Sequence, residues 1–146
     1  MTAPADSAAS DALMQPLIAA ARAARARAHA PYSRFAVGAA LRDEAGRIHA
    51  GCNIENAAYP QGLCAEAVAL AHLVMAGGTR VVAAAVVGVA PDPVTPCGGC
   101  RQKLREFAAD DAPVWCADES AVTARFTLGQ LLPASFGPAH LPLEKP

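Results

Sequence analysis

Cys64-Ala65-Glu66 and Pro96-Cys97-Gly98-Gly99-Cys100 decide the fold, because these two stretches make chemical sense only if they meet in space. Each stands where a helix is expected to start. Pro96 suits the first position of one, and the run Cys64 to Met75 has helical composition until Gly77-Gly78 stops it. A Cys-x-x-Cys at a helix start puts two sulfurs on one face, since residues three apart are neighbours there. Cys64 supplies a third sulfur if the second helix start is brought alongside. Three thiolates around zinc leave the fourth tetrahedral position free, and that open position separates a catalytic zinc from a structural one. Glu66, two residues past its ligand, has the reach of a general acid/base rather than of a fourth ligand. Orphan N–H groups and the positive dipole end at both helix starts favour thiolate over thiol.

Other readings of these cysteines stay open at this point. Cys97 and Cys100 also fit a cytosolic redox pair. A closed structural site would take Cys52, Cys116 or His72 as its fourth ligand. Cys52 and Cys116 otherwise read as buried small hydrophobes, the commoner fate of a free cysteine. His29, His49, His72 and His140 have no ligand spacing with one another.

Composition narrows the function classes. Hydrophobic residues make up 53% of the 146-residue chain and aromatics only 5%, so the core is built from Ala, Val and Leu and its helices pack closely. A net charge of −1 and few aromatic rings argue against a nucleic acid or an anionic membrane as partner. No stretch approaches the roughly 20 apolar residues of a membrane span. Met1 to Ser10 has neither a basic n-region nor an apolar h-region, so it does not read as a signal peptide. Five cysteines, an odd number without such a leader, fit a reducing compartment and metal-binding thiols better than disulfides. The expectation is a cytoplasmic single domain over residues 11–146, behind a mobile Ala/Ser/Pro/Asp tail at 1–10.

Along the chain, a helix is expected from between Asp11 and Pro16 to about His29, ended by Pro31. Leu17, Ala21, Ala24 and Ala28 share one face of it, and Arg22, Arg25 and Arg27 read as a solvated face rather than a nucleic-acid patch. Val37 to Arg42 and Arg47 to Asn53 read as an antiparallel hairpin joined by Asp43-Glu44-Ala45-Gly46. Arg80 to Val89 is a continuous apolar run, hence a strand covered on both faces at the centre of the sheet. The helix after Pro96 should run to about Ala108. Val114 to Ala117 and Val122 to Phe126 are too close for a crossover helix between them, so they should pair antiparallel. Thr127-x-x-Gln130 is a capping box opening a short helix over Leu128 to Leu132. The fold class is α/β, a mixed five-stranded sheet in a three-layer α/β/α arrangement, with both cysteine-bearing helices on one side.

Cys-Ala-Glu followed by Pro-Cys-Gly-Gly-Cys-Arg-Gln resembles the zinc nucleoside and nucleobase deaminases. Three further blocks resemble the small cytidine deaminases: Ala30 to Ala39, Gly51 to Ala57, and Leu131 to Pro138. That resemblance implies one Zn²⁺ per subunit on Cys64, Cys97 and Cys100, and hydrolytic deamination of cytidine and 2′-deoxycytidine in pyrimidine salvage. Zinc-activated hydroxide would attack C4 of the base, with Glu66 carrying protons to ring N3 and to the leaving ammonia. By the same resemblance Asn53 and Glu55 bind the ribose hydroxyls, Phe35 forms the aromatic wall under the pyrimidine, and the backbone of Ala65 meets the base amino group. The family expectation is a homotetramer with shared pockets, in which Ala57, Tyr59 and Phe136 serve neighbouring sites. Tyr32, Arg34 and Gln102 match motif positions and are given structural roles.

Ala67 departs from the family pattern, where many relatives carry an Arg that donates to the zinc thiolates. Helix dipoles, backbone N–H groups and Arg101 are expected to carry that compensation here. The departure keeps a modified or antibiotic cytosine nucleoside of the blasticidin-S type as an alternative substrate. A non-catalytic zinc-stabilised binding module is the alternative from another class.

Overall fold

Strand-forming residues are densest where the apolar run is unbroken, and there the sheet has its centre. The computed structural model describes the backbone of residues 4–142 and side chains from Ser10 onward. Its strands are β1 (Gly38–Asp43), β2 (Ile48–Cys52), β3 (Val81–Val87), β4 (Pro113–Ala117) and β5 (Val122–Thr127), and its helices α1 (Pro4–Arg25), α2 (Ala65–Met75), α3 (Gly98–Arg105) and α4 (Leu128–Leu131). The five strands lie in the order β2-β1-β3-β4-β5, with β3 central. β1 pairs antiparallel with both β2 and β3, β3 pairs parallel with β4, and β4 pairs antiparallel with β5. The hairpin and the final antiparallel pair follow the sequence expectation, and the parallel β3–β4 pair, joined through α3, makes the sheet mixed as expected.

Alternation along β3 explains why that strand is apolar throughout. Ala84 and Val86 join the core under α2, α3 and α4, with Ala69, Leu73, Leu104 and Leu128. Ala83, Ala85 and Val87 face the other way, into a core with Met14, Leu17, Ile18 and Ala21 of α1. The result is three layers, with α2 and α3 together on one side of the sheet. No described helix is long and apolar enough to cross a membrane.

Small residues set the layer spacing. A Cβ on Gly38 would stand 1.9 Å from the Ala21 carbonyl oxygen, and one on Gly51 would stand 2.4 Å from the Ala69 nitrogen. Both helices therefore rest backbone-to-backbone on the sheet. Gly38→Ala is expected to lower unfolding stability in urea by at least about 3 kcal/mol, because neither the strand nor α1 can retreat. Gly98→Ala, where nothing lies within 4 Å of the added atom, should stay within about 1 kcal/mol of the parent.

α1 differs from its expected bounds at both ends. It begins at Pro4, so residues 4–10 of the expected tail are helical, while residues 1–3 lie outside the described residues. Pro4 is tolerated in a first turn, and the alanines after it are strong helix formers. The helix passes through Pro16, which is exposed, and packing of Met14, Leu17 and Ile18 holds both sides of it. It ends at Arg25 rather than His29, and Pro31 does not terminate it. His29 is drawn into an extended bridge instead, donating its N–H to the Asn53 carbonyl and accepting from Glu55 N–H. α3 likewise stops at Arg105, short of Ala108. Pro96 stands before the N-cap Cys97, so it is not the first helical residue.

The β1–β2 turn carries a charge cluster that its sequence did not announce. Asp43, 1% exposed, accepts from the N–H groups of Ala45 and Arg47, from Arg47 Nε at 2.7 Å, and is paired with His49 Nε2 at 2.8 Å. Burial works against the Asp43 carboxylate, yet these bonds hold its pKa well below the ordinary range. Glu44 accepts from Thr79 Oγ1 and from the N–H groups of Thr79 and Arg80, which lowers its pKa from 4.5 to about 2. Both carboxylates have depressed folded-state pKa values, so their contribution is present above the unfolded value and is lost on acidification. Thermal melts should fall as the pH drops through about 4.5 toward about 2, and Glu44→Gln should flatten that fall while starting lower at neutral pH. An unchanged acid slope in Glu44→Gln would remove Glu44 from this role.

Candidate active site and metal centre

Two helix starts place the three sulfurs. Cys64 is the N-cap of α2 and Cys97 the N-cap of α3, both in extended backbone and both without a side-chain capping bond. The two sulfurs face one another across the two helix starts. Cys100, one turn on, is buried at the third position of α3. The three Sγ atoms lie within 4.8 Å of one another, with Cys64 and Cys97 at 3.8 Å. Zinc–sulfur arms of about 2.3 Å at the tetrahedral angle give sulfur–sulfur edges of about 3.8 Å. This is the sole group of three or more potential metal ligands among the described residues. All five cysteines are free, and Cys52, Cys116 and His72 stand outside the cluster.

The protonation chemistry of these donors also fits a cation. Burial raises the Cys64 thiol, and it raises Cys100 far above the ordinary thiol range with help from the negative charge of Glu66 and the neighbouring sulfurs. Burial opposes ionisation of Cys97 too, but bonds from the Cys100 N–H and from both other thiols bring its pKa down. Three sulfurs crowded beside a carboxylate become thiolates together only with a positive ion among them. A soft divalent metal meets that need.

Glu66 is the second residue of α2, 5% exposed. Burial raises its pKa, opposed in part by its own backbone N–H, by the Cys100 side chain and by the charge of Lys103. A carboxyl moved upward in this way is suited to taking and returning a proton near neutral pH. Lys103 was not singled out by its sequence position, which reads as an ordinary solvated helix residue.

A cleft of about 530 Å³ opens beside Cys64, lined among others by Tyr32, Asn53, Glu55, Tyr59 and Leu63. The Asn53 side chain accepts from Val37 N–H and donates to the Phe35 carbonyl, both at 2.8 Å. Glu55 Oε1 accepts from the N–H groups of Tyr32 and Ser33, and hydrogen bonds from Ser33 above all lower its pKa. The two side chains thus tie residues 32–37 to the Asn53–Glu55 segment of the cleft wall. Ala65 is fully buried at the start of α2.

Other expected contacts are not gathered there. Phe35, 40% exposed, does not line the cleft, nor do Ala57 and Phe136. Phe136 stacks on His140 with ring centroids 5.0 Å apart. Tyr59 does reach the cleft, in edge contact with Tyr32. Arg34 (φ 58°) and Ala134 (φ 50°) are held in left-handed backbone, just ahead of Phe35 and Phe136 respectively. Ala67 is half-buried and presents no donor. Arg101 does not turn to the sulfurs as expected. Its guanidinium donates to the Pro96 carbonyl, the Leu131 carbonyl and Thr95 Oγ1.

Comparison with known proteins bears on the same residues. The family model for the cytidine and deoxycytidylate deaminase zinc-binding region matches residues 12–116. A cytidine deaminase of Sporosarcina psychrophila is 42% identical over 128 residues, which is 88% of this chain and 94% of the relative. One from Mycobacterium tuberculosis is 43% identical over 84% of this chain and 88% of the relative. The solved cytidine deaminase from Burkholderia pseudomallei superposes with a TM-score of 0.79 at 42% identity, over 84% of this chain and 98% of that one. With a match that spans most of the chain in sequence and in structure alike, this protein belongs to the cytidine deaminase family of zinc-dependent hydrolases.

Proposed function

We propose that the protein hydrolyses cytidine and 2′-deoxycytidine to uridine and 2′-deoxyuridine with release of ammonia, in cytoplasmic pyrimidine salvage. The observation that carries this reading is the convergence of three thiols within 4.8 Å beside the buried carboxyl of Glu66. Zinc on Cys64, Cys97 and Cys100 supplies the Lewis acidity that makes water a nucleophile at neutral pH. Glu66 accepts one proton of water as its oxygen bonds to C4 and passes that proton to ring N3. It then moves the proton of the new C4 hydroxyl to the amino group, whose C–N bond breaks to leave a C4 carbonyl and ammonia. The Ala65 backbone orients that amino group. Asn53 and Glu55, already anchored to residues 32–37, turn their remaining hydrogen-bonding capacity to the ribose hydroxyls.

Phe35 forms the wall under the pyrimidine in this reading, and Ala57, Tyr59 and Phe136 serve neighbouring sites within a homotetramer, where each pocket is completed by neighbouring subunits. α2 supports such assembly. Apart from Glu66 and His72 it is apolar, and Ala71, Val74 and Met75 remain exposed. A second copy of the chain is the occupant with matching chemistry.

Ammonia release and absorbance loss on cytidine, deoxycytidine and blasticidin S test the proposal side by side. Turnover of both plain nucleosides is expected. Turnover of blasticidin S alone, or zinc bound with no turnover of any of them, would overturn it.

A further inference from the structure

Cys97 is the N-cap of the helix that carries two of the three sulfurs, and it has no side-chain oxygen of the kind that usually caps a helix start. Its sulfur, a weak acceptor, draws on the Cys100 N–H, so the angle at which Cys97 enters the cluster also depends on what holds the loop before it. Arg101 sits in the first turn, where a cation is disfavoured by the helix dipole, so its position calls for specific partners. Those partners are the Pro96 carbonyl at 2.7 Å, Thr95 Oγ1 at 2.9 Å and the Leu131 carbonyl at 2.8 Å. The first two belong to the loop delivering Cys97. The third is the last carbonyl of α4, left without a partner by the end of that helix.

From Leu131 the chain continues into a strained strap. Ala134 is in left-handed backbone, which a residue with a Cβ adopts only when held. α3 does the holding: Gln102 Nε2 donates to the Phe136 carbonyl and Arg105 Nε to Ser135 Oγ. Arg101, Gln102 and Arg105 therefore fasten one strap to one helix, and only Arg101 also reaches the ligand loop.

We propose that Arg101 is a positioning residue for the metal centre, locking the Thr95–Cys97 loop to the end of α4 so that Cys97 keeps its sulfur in the cluster. The inference rests on the zinc reading above. Its planar fork serves three acceptors in two segments at once, a geometry that a lysine ammonium does not reproduce. Removing it leaves two backbone carbonyls of buried residues without their donor, and the loop regains freedom at the residue next to a ligand.

Zinc release from the folded holoenzyme to a chromophoric chelator tests this, with wild type, Arg101→Gln, Arg101→Lys and Arg105→Gln compared at equal circular dichroism. Both Arg101 variants should release zinc roughly tenfold or more faster. Arg105→Gln, which loosens the strap without touching the ligand loop, should release zinc at the wild-type rate while melting lower. If Arg101→Gln does not fold, Thr95→Val, lacking one of the three acceptors, should still speed release severalfold. Zinc release from Arg101→Lys at the wild-type rate overturns the inference alone. A wild-type protein that holds no zinc overturns the zinc reading and this inference with it.

Discussion

Glu66→Gln is expected to lower kcat on cytidine by roughly 10³-fold while leaving the zinc content of the protein unchanged. Glutamine keeps the size of the side chain, and its amide still bonds to the α2 backbone from the second helical position. What it loses is the capacity to hold a proton. Burial raises the pKa of the native carboxyl, and that group can accept and return a proton where an amide can do neither. Because the residue is 5% exposed beside the Cys100 side chain, bulk water does not easily stand in for it. Ammonia release and metal analysis on the same preparation check the pair of outcomes. Activity within tenfold of wild type would remove Glu66 from the proton path, and loss of zinc would recast it as part of the metal's support.

Cys100→Ser carries the second large effect. Cys100 is 1% exposed, and it touches both other sulfurs and Glu66 electrostatically. A neutral hydroxyl in its place removes a thiolate and leaves two ligands, one at each helix start. Zinc affinity should fall by about 10²-fold or more, and activity should drop below detection with it. The fold should persist, since the cores on both sheet faces are apolar and form without the site. Cys116→Ser is the control. Cys116 is buried in β4, its pKa pushed up to about 11 by burial, and it stands outside the cluster. That variant should lose stability and keep its zinc. The reverse pattern, zinc retained by Cys100→Ser and lost from Cys116→Ser, would mean that the ligand set has been misassigned.

Much of this arrangement was legible in the chain, and for identifiable reasons. The β3 run is apolar on every position because both of its faces are covered, and that placed it at the centre of the sheet. The Thr127–Gln130 capping box is formed as its spacing implies, with bonds in both directions. The three cysteines were legible because metal ligation restricts both spacing and position on a helix. What escaped was the convergence of side chains. Asp43 reads as a turn residue, yet four donors from Ala45, Arg47 and His49 converge on it. Arg101 reads as the nearest charge to the thiols, but its partners come from Leu131, thirty positions away, and from the loop behind it. The start of α1 was hidden by low-complexity composition, in which alanine-rich tail and alanine-rich helix look alike. Phe35, read as the wall under the base, and Phe136, read as serving a neighbouring site, are both exposed in the single chain, which holds neither the base nor a second subunit.

Zinc K-edge X-ray absorption on the purified protein tests the central claim most directly. Three sulfur scatterers at about 2.3 Å and one oxygen-type scatterer are expected, unchanged in number in Glu66→Gln. Four sulfurs, or an imidazole at the fourth position, would contradict it, because no vertex would then be left for the water on which the chemistry depends.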